Sequence, residues 1–200
     1  MLVLCIIFVT AIVIVTLFYV FCDVNYFIRM GLTVLISKIF QKKSGIKDPI
    51  TIYGFCTTQD VDFLLNHMNN ARYIRELDFA RVNFYIRTGI YAHIKAIGGD
   101  VLQGATNIRY RRTISIFKAY KIETKLTYWE DKSLFFEHKF ITFDGFVRTV
   151  VLSRQNLINV DAETLMKSIP GAESKPECPE EIKHWIQAME VSSAKLRHKN

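Results

Sequence analysis

The sequence points to an α+β domain carried behind an apolar N-terminal span, on three grounds. Residues 1–22 contain no charged side chain, and Leu, Ile, Val and Phe fill most of their positions. A segment with helical period begins just after Asn70. Beyond it come several segments of strand period separated by turn signals, the order expected of an antiparallel sheet packed against a helix.

The apolar run Met1–Cys22 is long enough for a helix that spans the bilayer core. A cleaved signal peptide is the competing reading. It requires a basic n-region, a shorter apolar stretch and small residues at a cleavage site, and none of these is evident. Arg29, Lys38, Lys42, Lys43 and Lys47 follow the run against only Asp23 and Asp48, so the positive-inside rule places the remainder in the cytosol. We expect an uncleaved anchor in a membrane, that of the endoplasmic reticulum, with the domain cytosolic; the alternative is secretion after cleavage. In Tyr26–Phe40, Phe27, Met30, Val34 and Leu35 share one helical face, and the stretch ends in Lys38, Lys42 and Lys43. Two readings stay open here, a helix lying on the membrane surface and a linker helix packed on the domain.

Ile50–Cys56 is short and β-branched, a first strand. Asn69 or Asn70 can cap the helix that follows, in which Tyr73, Leu77, Ala80 and Phe84 recur at helical spacing and which ends near Thr88-Gly89. Tyr91–Gly98 and Leu102–Ser115 look extended. Tyr120, Ile122, Thr124, Leu126 and Tyr128 then alternate with Lys121, Glu123, Lys125 and Thr127. Glu130–Ser133 turns into the strand Leu134–Phe143, and Asp144-Gly145 is a two-residue hairpin signal leading to Val147–Val160. A short helix follows at Ala162–Ser168, then a loop from Pro170 to Pro179. The last helix shows Ile182, Trp185, Ile186 and Met189 on one face. The domain boundaries expected are 1–22 for the anchor, 23–48 for a basic juxtamembrane segment, 49–160 for the α+β domain and 161–200 for a helical extension.

The net charge of +7 suits an anionic membrane surface, nucleic acid or a phosphate-bearing ligand. No recognisable motif interleaves the aromatic residues with the charges, so nucleic acid is not an expected partner. Cys5, Cys22, Cys56 and Cys178 show neither C-x-x-C nor a Cys/His spacing for zinc, and we expect reduced thiols and no metal. No N-x-S/T sequon occurs.

The densest chemistry lies in Asp60–Tyr73, where two spaced carboxylates, His67, and Asn69-Asn70 lead into a helix. Free N–H groups and the dipole at such a start attract an oxygen, an arrangement suited to polarising a carbonyl. Asp60-Val61-Asp62 followed by His67-Met68-Asn69-Asn70-Ala71-Arg72-Tyr73 resembles the Asp-x-Asp…His-Val-Asn-Asn-Ala-x-Tyr signature of the 4-hydroxybenzoyl-CoA thioesterase branch of hotdog-fold acyl thioesterases. With Ile74–Arg81 and the apolar N-terminus included, it is similar to the thioesterase superfamily member 6-like group. The resemblance covers about Ile50 to Val160. It departs in having Asn66 where a Gly commonly precedes the His, and in being one residue longer between the second Asp and the Tyr.

The resemblance implies a hotdog fold, an antiparallel curved sheet around a central helix, in a homodimer with sites at the subunit interface. It also implies an acyl-CoA or other acyl thioester as substrate, with coenzyme A entering as part of the substrate and no other cofactor. Asp62 matches the second Asp and is the candidate general base or nucleophile, with Asp60 and His67 beside it. Asn69, Asn70 and Ala71 position the substrate and supply oxyanion N–H groups. The competing reading makes the two Asp residues loop braces, and His67 a tie within the loop. Tyr73 is placed in the core by its spacing to Leu77. Arg109, Arg111 and Arg112, with Lys118 and Lys121 nearby, are available for coenzyme A phosphates or form a solvated strand face. Alternation puts Arg109 and Arg111 on one face and Arg112 on the other. Two functions remain, a membrane-anchored acyl-CoA thioesterase and a hotdog domain that binds acyl groups or proteins without turnover.

Overall fold

The computed structural model describes residues 1–64 and 66–197, arranged as two compact units, Met1–Gln41 and Lys42–Asn200. In the first unit, α1 (Leu2–Phe21) is an uncharged helix of 20 residues with no buried side chain. At 1.5 Å per residue it extends about 30 Å, the thickness of a hydrocarbon core. Its Thr10 hydroxyl donates to the Ile6 carbonyl at 2.8 Å, so this polar group is satisfied within the helix. In α2 (Val24–Ile39) the Asp23 side chain caps the Tyr26 N–H at 3.2 Å.

The second unit runs β1 (Ile50–Phe55), α3 (Asn70–Thr88), α4 (Ile90–Ala96), β2 (Asp100–Tyr110), β3 (Ala119–Glu130), β4 (Ser133–Thr142), β5 (Val147–Ile158), α5 (Ala162–Lys167) and α6 (Glu180–Arg197). Its strands form one five-stranded sheet in the order β1-β3-β4-β5-β2, antiparallel throughout. The expected α+β architecture is thus present, with β1 and β2 at the edges.

One sheet face carries the main core. Tyr73, Leu77 and Ala80 of α3 pack with Tyr120, Ile122, Phe140 and Val151, while Phe84 packs with Leu126, Trp129, Leu134 and Phe136. Edge-on ring pairs, Tyr73–Phe140 at 5.0 Å and Phe84–Phe136 at 5.2 Å, join helix to sheet. The expected α3 core stripe is therefore present, and the helix stops at Gly89, whose φ of 75° lies in the left-handed region that glycine enters without strain. On the opposite sheet face, Ile182 of α6 seats among Tyr128, Phe135 and Leu152.

Four local expectations change. Tyr91–Gly98 is not extended: Ile90–Ala96 forms α4, in which Ile90 and Ile94, one helical turn apart, are fully buried. β2 stops at Tyr110 rather than continuing to Ser115, because the N–H groups of Arg111 and Arg112 both donate to the Arg148 carbonyl and end the ladder. In β3 the register shifts between Leu126 and Tyr128, leaving Thr127 as an extra residue. That bulge turns Tyr128 to the α6 face and puts Trp129 in the α3 core. Finally, the β4–β5 connection holds four residues, 143–146, rather than two. The Gly145 N–H (φ 81°) donates to Thr142 O at 2.9 Å and Thr142 N–H to Phe146 O at 3.2 Å, a turn closed by a left-handed glycine.

Candidate active site

The segment between β1 and α3 folds back on itself. Asp62 N–H donates to His67 O at 3.0 Å and Asn69 N–H to Asp60 O at 2.8 Å, so Val61 lies opposite Met68. Residues 113–116 hold its outer side: Met68 N–H donates to Ile114 O at 2.8 Å and Ile116 N–H to Asn66 O at 3.1 Å. The stretch that looked like a continuation of β2 is what fixes the motif loop.

The two carboxylates stand in different environments. Asp60 is buried, and its Oδ2 accepts from the Thr57 N–H at 2.7 Å and the Thr57 hydroxyl at 2.8 Å. Its Oδ1 lies 2.6 Å from the Arg72 guanidinium, which also sits 3.5 Å from Glu76 Oε1. Glu76 Oε2 in turn accepts from the Tyr120 hydroxyl at 3.0 Å. Asp60 is thereby tied through α3 to the sheet, the geometry of a brace.

Asp62 is part-exposed, and its Oδ2 is 3.6 Å from His67 Nδ1. Its Oδ1 is buried without a hydrogen-bond partner. The same His67 nitrogen is 3.2 Å from Asn66 Oδ1, so the residue that stands where the family pattern has Gly touches the histidine.

At the start of α3, Asn69 is the cap: its Oδ1 accepts from Ala71 N–H at 2.9 Å, and its carbonyl accepts from Arg72 N–H at 2.9 Å. The Ala71 N–H expected to face a substrate is engaged by that cap. Asn70 presents its carbonyl to the Tyr110 hydroxyl at 2.9 Å. Asn69, Asn70 and Ala71 are all exposed, at the helix end where N–H groups point outward.

The arginines are arranged differently from strand alternation. Arg109 stays on β2 opposite Val150 and is exposed. Arg111 and Arg112 lie past the strand end, where alternation no longer applies, and both guanidinium carbons sit over the Phe146 ring, at 4.9 and 4.5 Å from its centroid. Arg148 joins them at 5.2 Å and is held by Asp144 at 2.5 Å. A cavity of about 370 Å³ adjoins this cluster, lined by Thr113, Ile114, Ser115, Lys118, Thr142 and Arg148 among others. Its wall is therefore the same segment that grips the motif loop. Among the described residues, no three His, Cys, Asp or Glu side chains gather in a group that could hold a metal ion.

Residues 56–186 match the family described as the thioesterase-like superfamily. The chain belongs to the thioesterase-like superfamily. It is 52% identical over 186 residues to Protein THEM6 of Drosophila melanogaster, covering 92% of this chain and 96% of that one. To Protein THEM6 of Xenopus laevis it is 36% identical over 177 residues, 88% of this chain and 85% of the other. It is thus a THEM6-like member. Among solved structures, YbaW of Escherichia coli, a probable thioesterase, superposes with a TM-score of 0.52 at 21% identity over 58% of this chain and 86% of its own. At that identity the likeness speaks for the fold, which is hotdog-like, a five-stranded antiparallel sheet with its central helix.

For this member of the thioesterase-like superfamily, sequence reading located the loop but not its supports. Glu76 and Arg72 show only as an i, i+4 pair of the solvated helix face, although Glu76 is buried. Tyr120 shows only as one member of an alternating strand. Arg148 carries no local signal, since its place beside Arg111 and Arg112 follows from the pairing of β2 with β5.

Proposed function

We propose that this protein is a membrane-anchored acyl-CoA thioesterase in which Asp62 is the acting carboxylate. The observation that carries this reading is the contrast between the two aspartates. Asp60 is buried, with Oδ2 hydrogen-bonded to Thr57 and Oδ1 ion-paired with Arg72 at 2.6 Å, while Asp62 is part-exposed and stands 3.6 Å from His67, in a loop that feeds a helix start. Since Oδ1 is closed to water, Oδ2 of this carboxylate, beside His67, removes a proton from water as the water oxygen attacks the thioester carbonyl carbon. The developing oxyanion is met at the start of α3 by the Asn70 N–H, and by the Ala71 N–H once substrate displaces the Asn69 side chain from it. His67 hydrogen-bonds the carbonyl and orients it. Collapse of the tetrahedral intermediate breaks the carbon–sulfur bond, and the proton held by Asp62 passes to the departing sulfur, so that the acid and coenzyme A thiol leave and the carboxylate is restored. Arg111, Arg112 and Arg148 bind the coenzyme A phosphates beside the cavity, and Arg109 belongs to the solvated face of β2.

The apolar α1 is the anchor and the domain lies on the cytosolic side of the endoplasmic reticulum membrane, a reading supported by the uncharged span and the basic residues after it. The unit pairs as a homodimer through the exposed edge of β2, eleven residues long. One observation favours a second reading, an acyl-binding module without turnover: the Ala71 N–H is already occupied by its cap. Purified full chain incubated with acyl-CoAs of graded chain length, with free thiol recorded, separates the two. The enzyme releases thiol in proportion to protein and loses that release in Asp62→Asn. Binding of acyl-CoA without thiol release leaves the module.

A further inference from the structure

The sheet face that carries α6 is covered at one end and open at the other. Tyr128, Phe135 and Leu152 lie under α6. At the opposite end, Tyr53 of β1 and Phe143 of the β4–β5 turn stack, with ring centroids 6.2 Å apart and planes at 17°. Phe55 and Phe117 form a second pair at 6.5 Å. These rings remain 72%, 70%, 50% and 62% exposed in that order, so pairing has not hidden them from water. Single exposed apolar residues need no explanation, but a cluster of four aromatic rings does.

Basic side chains border the cluster. Lys121 shares a hollow of about 360 Å³ with Tyr53 and Phe143. Lys118 lines the neighbouring cavity, which Phe143 and Arg148 also touch. Elsewhere lysines find carboxylates, as Lys95 does with Asp100 and Lys139 with Glu137. Among the described residues Lys118 and Lys121 have no such partner. The local acid, Asp144, is neutralised by Arg148 at 2.5 Å, and Glu123 lies opposite Lys139 in the β3–β4 register. The patch is therefore apolar, aromatic and positively charged.

We infer that this open end of the sheet docks on an anionic lipid bilayer. Tyr53, Phe55, Phe117 and Phe143 enter the headgroup region, and Lys118 and Lys121 meet lipid phosphates. Tyrosine prefers the headgroup level and phenylalanine sinks to the headgroup–acyl boundary, while lysine stems lie along apolar surface and their ammonium groups reach polar ground. A second copy fits less well, because a two-fold contact through this patch sets its uncompensated lysines against their own counterparts. The inference goes beyond the catalytic reading and stands whether or not the chain turns over acyl thioesters.

The full chain in lipid nanodiscs supplies the test, since the same anchor is present in every disc and only the lipid charge changes. Amide hydrogen exchange is compared in phosphatidylcholine discs and in discs of phosphatidylcholine mixed with phosphatidylserine. Residues 113–118 and 143–146 exchange more slowly in the anionic discs, with a docking preference of roughly thirtyfold for two lysines near such a surface. Lys118→Glu with Lys121→Glu abolishes the dependence on lipid charge. Phe117→Ser with Phe143→Ser abolishes the protection itself, near-ultraviolet circular dichroism confirming that both variants fold. Equal exchange in the two lipids, or slowing that survives the lysine reversals, overturns the inference. Protection that appears in lipid-free detergent and rises with protein concentration also overturns it and assigns the face to a protein partner or second copy.

Discussion

Tyr120 donates its hydroxyl hydrogen to Glu76 across 3.0 Å in the interior, where both side chains are almost wholly inaccessible. Through that bond the sheet holds Glu76, Glu76 stands 3.5 Å from Arg72, and Arg72 grips Asp60 at 2.6 Å. The base of the motif loop is thus fastened to β3 by a line of polar contacts through α3.

Gly54 makes room for the first link. A Cβ there would lie 2.4 Å from the Tyr120 ring, a distance that the ring must move to relieve. Gly54→Ala should destabilise the chain by about 1–3 kcal/mol, the usual cost of overpacking, read as a lower urea midpoint. Thiol release should fall with it, because the displaced phenol no longer holds Glu76. An unchanged midpoint would show that Tyr120 is free to shift.

Asp60→Asn and Asp62→Asn should fail in opposite ways. The first removes one partner of a buried ion pair, a loss of about 3–5 kcal/mol, and appears chiefly in the unfolding midpoint. The second leaves the midpoint near that of wild type, since Asp62 Oδ1 has no partner to lose. Its rate of thiol release should drop at least about a hundredfold, with KM little changed. Comparable activity in Asp62→Asn and wild type would remove Asp62 from the chemistry.

His138 gives the fold a pH dependence. Fully buried between the Thr124 and Ser153 hydroxyls, at 2.9 Å from each, it is pushed down to about 3 by burial and secondarily by the Arg81 charge. In the unfolded chain the imidazole takes up its proton near 6.5. Between those values the unfolded state binds more protons, so this contribution is complete above pH 6.5 and declines as pH falls toward 3. Urea midpoints measured from pH 7.5 to 5 should decrease, and His138→Gln should flatten the decrease. A slope that persists unchanged in the variant would assign it to another group.

Protease added to sealed microsomes should digest the domain while residues 1–22 remain attached to the mature protein. A protected domain, or a mature chain that begins within the first thirty residues, rules out the anchor topology.

Residues 42–200 expressed alone should scatter light as a dimer at micromolar concentration. A lysine or proline placed midway along β2 should return the mass to that of a monomer, as such residues blunt an exposed edge. A monomer from the unmodified sequence would exclude a shared active site.

The long-range order of elements was legible because each carries its own period: α3 in Tyr73, Leu77, Ala80 and Phe84, β3 in its alternation up to Leu126. The bulge at Thr127 was not, since nothing local marks which of Thr127, Tyr128 and Trp129 is the extra residue. Only the pairing with β4 decides it. Helix α4 escaped because its seven residues are aromatic or β-branched at several positions and follow a glycine. At the site, the Asp-x-Asp spacing announced two carboxylates but could not rank them. The ranking depends on Arg72 folding back over Asp60 rather than Asp62, a tertiary event.

Thr127 acts as a phase shift in the strand. Upstream of it, even-numbered side chains of β3 look toward α3; downstream, odd-numbered ones do. Were Thr127 paired as an ordinary residue of the ladder, Tyr128 would turn inward and Trp129 outward, exchanging the partners of α3 and α6; deleting it would keep Leu126, Tyr128 and Trp129 opposite Phe136, Phe135 and Leu134 with their present facing. The hydroxyl of Thr127 fastens the offset by donating to the Phe135 carbonyl at 2.9 Å. Between an alternation written in the sequence and a pleat that runs the other way, this one residue makes the two agree and so fixes where the C-terminal helix finds its seat.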